Sequence, residues 1–416
     1  MTYNTATLSS GLRIIHRPSP SPVVYCGYQI AAGTRHELPE QEGLAHLCEH
    51  ATFKGTHRRT ALQVANALER LGGELNAFTT KEDTTFYAAI GRDHLRQAVD
   101  VLTDIVFHST YPQTELDKEI EVVCDEIESY NDSPAELIYD DFENMVFGTH
   151  PLGHNILGKA DRLRQYTHDD VCLFAARHYR PDNAVFFAYG DVDFRRLVAL
   201  CEKLTAFGAH DALDTCTTSP VVPSAETAAS PAPHSAFQVR QLSTHQAHVM
   251  VGTRAFAYGH ALRPALALLT NIIGGPGMNS RLNVSLRERR GLVYTVEALS
   301  VNYTDTGVWS VYFGCDPADT GRCLRLVHRE LSRLVDKPLG PAQLAAAKRQ
   351  IKGQIAIACD NREQDALDGA KCFLHHGILR TVDGLFRSID AVTTDDLQQV
   401  ARLLFAPDSL TTLIYK

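Results

Sequence analysis

The sequence has no CxxC pair, no excess of basic charge, and no apolar run near the roughly 18 to 20 residues that a membrane span needs. Each absence removes a class of protein. Its ten cysteines lie scattered at positions 26, 48, 124, 172, 201, 216, 315, 323, 359 and 372, which argues against a disulfide framework and for a reduced, intracellular chain. Forty Lys and Arg against 49 Asp and Glu leave a net charge of -9, which excludes a constitutive nucleic-acid binder because phosphate neutralisation needs a basic surface. The opening stretch MTYNTATLSSGLRII shows no basic segment followed by an apolar one. A soluble, cytoplasmic protein with no membrane partner is therefore expected.

What is present is ordinary globular composition, 44% hydrophobic and 21% charged over 416 residues, a length that favours two domains over one core. Proline, serine, threonine and alanine crowd the stretch from Asp214 to Ala236 and apolar periodicity stops there, so residues 214–236 read as a linker between domains at 1–213 and 237–416. The two halves end alike. YTHDDVCLFAARHYRPDNAVFFAYGDV, from Tyr166, and VTTDDLQQVARLLFAPDSLTTLIYK, from Val392, both read as Thr-x-Asp-Asp opening a helix, then Pro-Asp, then a strand. This order predicts an internal duplication of an α+β unit, each copy a mostly antiparallel sheet packed with helices. In the first copy, strands are expected at GLRIIHR, VVYCGYQIAAG, GELNAFT and TTFYAAIG. Helices are expected over 42–54, 61–71, 94–108 and 114–130.

The chemistry lies in GLAHLCEHATFKGT, residues 43–56, which contains His-x-x-Glu-His. On a helix, His46, Glu49 and His50 share one sector of roughly 100°, so two imidazoles can hold one cation with a carboxylate beside them. Leu44, Leu47, Cys48 and Ala51 take the opposite, core-facing stripe. Taken alone, the pair reads more readily as surface histidines on an amphipathic helix. A zinc site also needs a third protein ligand, and the acidic helix ELDKEIEVVCDEIESY supplies candidates.

His46-x-x-Glu49-His50, followed 76 residues later by Glu126 in EVVCDEIESYNDSP, resembles the inverted zinc motif of the pitrilysin/insulinase family of metallopeptidases. The flanks GLAHLCEHATFKGT and GGELNAFTTKEDTTFYA are similar to that family's signatures. SRLNVSLRERRGLVYTV resembles its Arg/Tyr segment, with Arg287 and Tyr294 seven apart. The likeness runs over essentially the whole chain, which is similar to short, two-domain bacterial processing-peptidase-like members. It implies one Zn2+ per chain held by His46, His50 and Glu126, with Glu49 as general base. Glu119, two helical turns before Glu126, would hydrogen-bond a ligand imidazole.

On the same reading, the strand ELNAFT binds an extended peptide along its edge through Asn76, Ala77 and Phe78. Arg287 and Tyr294 stabilise the developing oxyanion. The substrates implied are short or unfolded polypeptides cut in an enclosed chamber, and a homodimer is expected because long members enclose one site with four such domains. The second half keeps no His-x-x-Glu-His, so only the first can hold metal. The alternative is a non-catalytic structural or partner subunit of a processing-peptidase-like complex. Gly274-Gly-Pro-Gly277 reads as a loop, since no Gly-Lys-Ser/Thr follows it. HPLGHN, with His150 and His154, reads as a turn.

Overall fold

The computed structural model describes residues 3–206, 235–242 and 244–416. The expected linker falls almost wholly outside them, as does Cys216; the nine cysteines among the described residues are free. The first half contains β1 (Asn4–Thr7), β2 (Arg13–Pro18), β3 (Val23–Ile30), α1 (Leu44–Thr52), α2 (Ala61–Glu69), β4 (Glu74–Thr79) and β5 (Thr84–Gly91). It continues with α3 (Leu95–His108), α4 (Gln113–Asn131), α5 (Pro134–Phe147), α6 (Ala160–Leu163), α7 (His168–His178), β6 (Ala184–Gly190) and α8 (Phe194–Leu204). The second half contains β7 (Phe237–Arg240), β8 (Ala247–Ala255), α9 (Arg263–Gly274), a π-helical turn (Asn283–Glu288), β9 (Val293–Asn302) and β10 (Gly307–Cys315). It ends with α10 (Thr320–Asp336), α11 (Pro341–Ala358), α12 (Arg362–His376), α13 (Val382–Ala391), α14 (Thr394–Leu404) and β11 (Thr411–Tyr415).

The duplication is visible in the topology. One sheet runs β1-β2-β6-β3-β5-β4 and the other β7-β11-β8-β10-β9, the same order once β1 is set aside and each strand is matched to its counterpart. Each sheet is antiparallel except for one parallel pair, β2 with β6 and β7 with β11. The local signals repeat too. Thr167 with Asp170 and Thr393 with Asp396 form capping boxes that open α7 and α14, and each helix is followed by a short 3-10 turn at Pro-Asp and an inner strand. The chain thus adopts the expected α+β class with two homologous, mostly antiparallel sheets.

Period-two alternation gives the first sheet two apolar faces. Val24, Cys26, Tyr28 and Ile30 of β3 join Phe86 of β5, Phe186 of β6 and the apolar stripe of α1 in one core. Ile15, Tyr87, Val185, Phe187 and Tyr189 face the other way, onto Ala366, Leu367, Ala370 and Leu374 of α12. That packing departs from the contiguous boundaries expected from the sequence. The first compact unit is 1–129, 154–220 and 358–381, and the second is 130–153, 221–357 and 382–416. Helix α12 therefore belongs with the first sheet and α5 with the second, although each is the third helix after its own half's β-hairpin. Polar contacts also fasten α12. Buried Asp83 accepts hydrogen bonds from Gln29 Nε2 and His375 Nε2, both at 3.0 Å, and pairs with Lys371 Nζ at 3.0 Å.

Candidate functional site

Helix α1 is immediately preceded by its N-cap, Gly43, whose φ of +87° favours glycine. Its first amides are satisfied from a distance. Glu37 Oε2 accepts from Gly43 N at 3.1 Å and Glu37 Oε1 accepts from Ala45 N at 2.8 Å, while His154 Nε2 donates to the same carboxylate at 3.0 Å. The apolar stripe of Leu44, Leu47, Cys48 and Ala51 is buried, which turns His46, Glu49 and His50 to the opposite side. Cys48 faces the core, as the helical spacing requires.

Opposite that side stands α4. His46 Nε2 is 3.9 Å and His50 Nε2 3.6 Å from Glu126 Oε2, and the three donor atoms lie within 4.8 Å of one another. Tetrahedral zinc with bonds of about 2.1 Å sets its ligand atoms about 3.4 Å apart, so only a small contraction is needed for this donor set to fit. Burial, with His50 adding to it, pushes the His46 imidazole down to about 3, which leaves it neutral and its lone pair available. His46 Nδ1 is buried and has no hydrogen-bond partner among the described residues, so packing orients that ring. His50 is held differently. Its Nδ1 faces Glu119 Oε2 at 3.2 Å, and a carboxylate partner requires the proton on Nδ1, leaving Nε2 toward Glu126. Lys54 Nζ, 2.6 Å from Glu119 Oε1, tethers the other oxygen. Burial opposes the charge on Glu119, but His50 and Lys54 outweigh it and hold its carboxyl below the usual range.

Glu49 is buried, and burial raises its pKa despite the hydrogen bond that its Oε2 accepts from Thr79 Oγ1 at 2.7 Å. Glu126 is different in kind, with 46% of its side chain exposed, so the cluster opens to solvent on that side. Thr79 ends β4, which pairs with β5 and, among the described residues, is an edge strand of its sheet. Along it, Leu75 and Ala77 pack on the α1 side and Phe78 on the α12 side, while Asn76 is exposed opposite Tyr87.

Arg287 and Tyr294 belong to the second unit. Arg287 is exposed on the π-helical turn, whose Leu286 is buried in the second core, and Tyr294 is 65% exposed at the start of edge strand β9. Four residues support α1 and its side chains in ways the sequence motif did not signal: Thr79, Lys54, Glu37 and its partner His154. The HPLGHN segment does form a turn, where His150 Nδ1 accepts from Leu152 N at 3.2 Å, but His154 also supports the start of α1. Period-two alternation was the available signal for Thr79, since it shares the α1-facing side with Leu75 and Ala77.

A family model described as "Insulinase (Peptidase family M16)" matches residues 13–160, and one described as "Peptidase M16 inactive domain" matches residues 165–351. An uncharacterized zinc protease of Bacillus subtilis is 32% identical over 409 residues, covering 98% of this chain and 97% of its own. Another, from Streptomyces coelicolor, is 33% identical over 404 residues, covering 96% and 87%. Among solved structures, a protease from Helicobacter pylori matches with a TM-score of 0.90 at 22% identity, covering 100% of this chain and 99% of its own. A peptidase M16 inactive domain from Pseudomonas fluorescens matches at 0.87 and 18% identity, covering 100% and 98%. At such identities the structures speak for the fold, while the sequence relatives span nearly the whole of both chains. The chain belongs to peptidase family M16, the insulinase family.

Proposed function

We propose that this chain is a zinc-dependent endopeptidase that hydrolyses peptide bonds of short or unfolded polypeptides inside an enclosed chamber, with one Zn2+ held by His46, His50 and Glu126. The observation that carries this reading is the convergence of two imidazole nitrogens and a carboxylate oxygen next to a second, buried carboxylate. When bound, zinc supplies Lewis acidity, which acidifies water and polarises a carbonyl. Glu49 accepts the proton of the attacking water and returns it to the leaving amine, a task suited to a carboxylate whose pKa is raised by burial. Glu119 keeps the His50 proton on Nδ1.

Substrate reads the outer edge of β4 as an added strand, with Asn76, Ala77 and Phe78 supplying main-chain and side-chain contacts. Arg287 and Tyr294 donate to the carbonyl oxygen as negative charge develops on it. Metal analysis of purified protein, paired with digestion of a peptide mixture with and without chelator, tests the reading. One equivalent of zinc and chelator-sensitive cleavage support it. A metal-free protein without hydrolysis would favour a non-catalytic partner subunit, for which the intact donor set has no use.

A further inference from the structure

Among the described residues, the hydroxyl of Thr79 makes one strong contact, and that contact is with Glu49. Thr79 lies directly opposite Thr84 in the β4–β5 register, with their hydroxyl oxygens 3.4 Å apart. Thr84 is buried and commits its one proton to Ala32 O at 2.7 Å, so it has none left for Thr79. An ionised Glu49 has no proton to give either. The direction of the chain is therefore set: Thr79 Oγ1 donates to Glu49 Oε2 at 2.7 Å. Glu49 Oε1 makes no hydrogen bond among the described residues.

The turn after Thr79 is pinned as well. Thr34 N and Arg35 N donate to Thr80 O and Lys81 O at 3.2 and 2.9 Å. Thr80 Oγ1 accepts from Glu82 N and Asp83 N, and Arg35 pairs with buried Glu82. Thr79 is thus the last residue of an exposed edge strand, anchored by a fixed turn on one side and by Thr84 on the other.

We propose that Thr79 is a positioning residue for Glu49: it occupies one carboxylate oxygen, leaves the other for proton transfer, and ties the base to the strand whose edge takes the substrate. The inference rests on the assignment of Glu49 as general base. It predicts that pairing of a peptide with β4 and the orientation of the base are coupled, because one residue belongs to both.

The test compares Thr79→Val, which keeps shape and strand propensity but loses the donor, with Thr79→Ser, which restores it. Both are read as zinc-loaded protein with a fluorogenic peptide, alongside zinc affinity by chelator competition. Loss of a hydrogen bond to a charged group should lower kcat for Thr79→Val by about tenfold to 100-fold, with KM and zinc affinity within about threefold of the parent. Thr79→Ser should stay within about threefold in kcat. Serine as damaging as valine would assign the effect to strand packing and overturn the proposal, as would an unchanged kcat for valine. Zinc affinity falling in step with kcat would overturn it too. Should Thr79→Val not fold, Thr79→Ala takes its place, and full kcat for the alanine variant overturns the proposal. Glu49→Gln, assayed in parallel, separates the two assignments. An active Glu49→Gln enzyme removes the base itself, whereas an inactive one beside a normal Thr79→Val removes only the role of Thr79.

Discussion

Two glutamates flank the same pair of imidazoles, and their surroundings suit them to different tasks. Glu49 is buried and tied to Thr79, while Glu126 is half-exposed and reaches both Nε2 atoms. Glu49→Gln is accordingly expected to keep its metal and to lose hydrolysis by about 100-fold to 10,000-fold, the usual worth of a general base. Turnover retained in metal-replete protein would contradict that role. Glu126→Gln should lower metal occupancy outright, whereas Glu119→Gln should cost about 10-fold to 100-fold in affinity or activity through His50. Asp125→Asn is the control, and an equal loss there would show that the wrong acid of α4 had been chosen. His46, Glu49 and His50 were legible in the sequence because i, i+3, i+4 spacing is a local property of one helix. Glu126 was legible only through the family pattern, since helical geometry alone leaves several acids of α4 open. For Thr79, alternation gave only the side of its strand, because a hydroxyl in a strand does not announce which element will lie across from it.

At the scale of elements, α1 depends on a cap from outside its own first turn. Glu37→Ala leaves Gly43 N, Ala45 N and His154 without their shared acceptor. Amide exchange at the start of α1 should quicken, with a local destabilisation of about 1–3 kcal/mol, and unchanged protection at Gly43 and Ala45 would show that the cap is dispensable. The seat of α12 should be sensitive to acid. Burial works against ionisation of Asp83, but His375 and Lys371 outweigh it and hold the carboxyl well below its ordinary value. Because the folded value is depressed, this stabilisation is complete above the unfolded carboxylate value of about 3.9 and is lost as pH falls through the folded value. Protection of α12 amides should therefore drop on acidification below about pH 4, and Asp83→Asn should remove that acid-dependent part; an identical acid response in the variant would acquit Asp83. The helices and strands themselves were readable from periodicity and caps. The exchange of α5 and α12 was not, since an amphipathic stripe states that a helix must cover an apolar surface without stating which sheet provides it.

At the scale of the whole molecule, the shared strand order of the two sheets makes the duplication plain, and none of the described helices is long and apolar enough to cross a membrane. We propose a homodimer in which the zinc site of one chain works with Arg287 and Tyr294 of the other. Homodimers of Glu49→Gln and of Tyr294→Phe should each be crippled, yet subunit exchange should recover activity, because one site of the mixed dimer carries both defects and the other carries none. No recovery after demonstrated exchange would place the pair in the same chain as its zinc. An enclosed chamber further predicts that short peptides are cut while a stably folded protein of similar size is spared. Rapid cleavage at the surface loops of such a protein would contradict enclosure.

In the proposed site, peptide hydrolysis depends on a zinc ion held by His46, His50 and Glu126. Stepwise return of zinc to chelator-stripped protein, with peptide cleavage followed at each addition, tests it most directly. Activity should rise linearly and saturate at one zinc per chain, and His50→Ala should neither bind this equivalent nor gain activity. Hydrolysis that survives complete metal removal, or that returns equally in the His50→Ala protein, would contradict it.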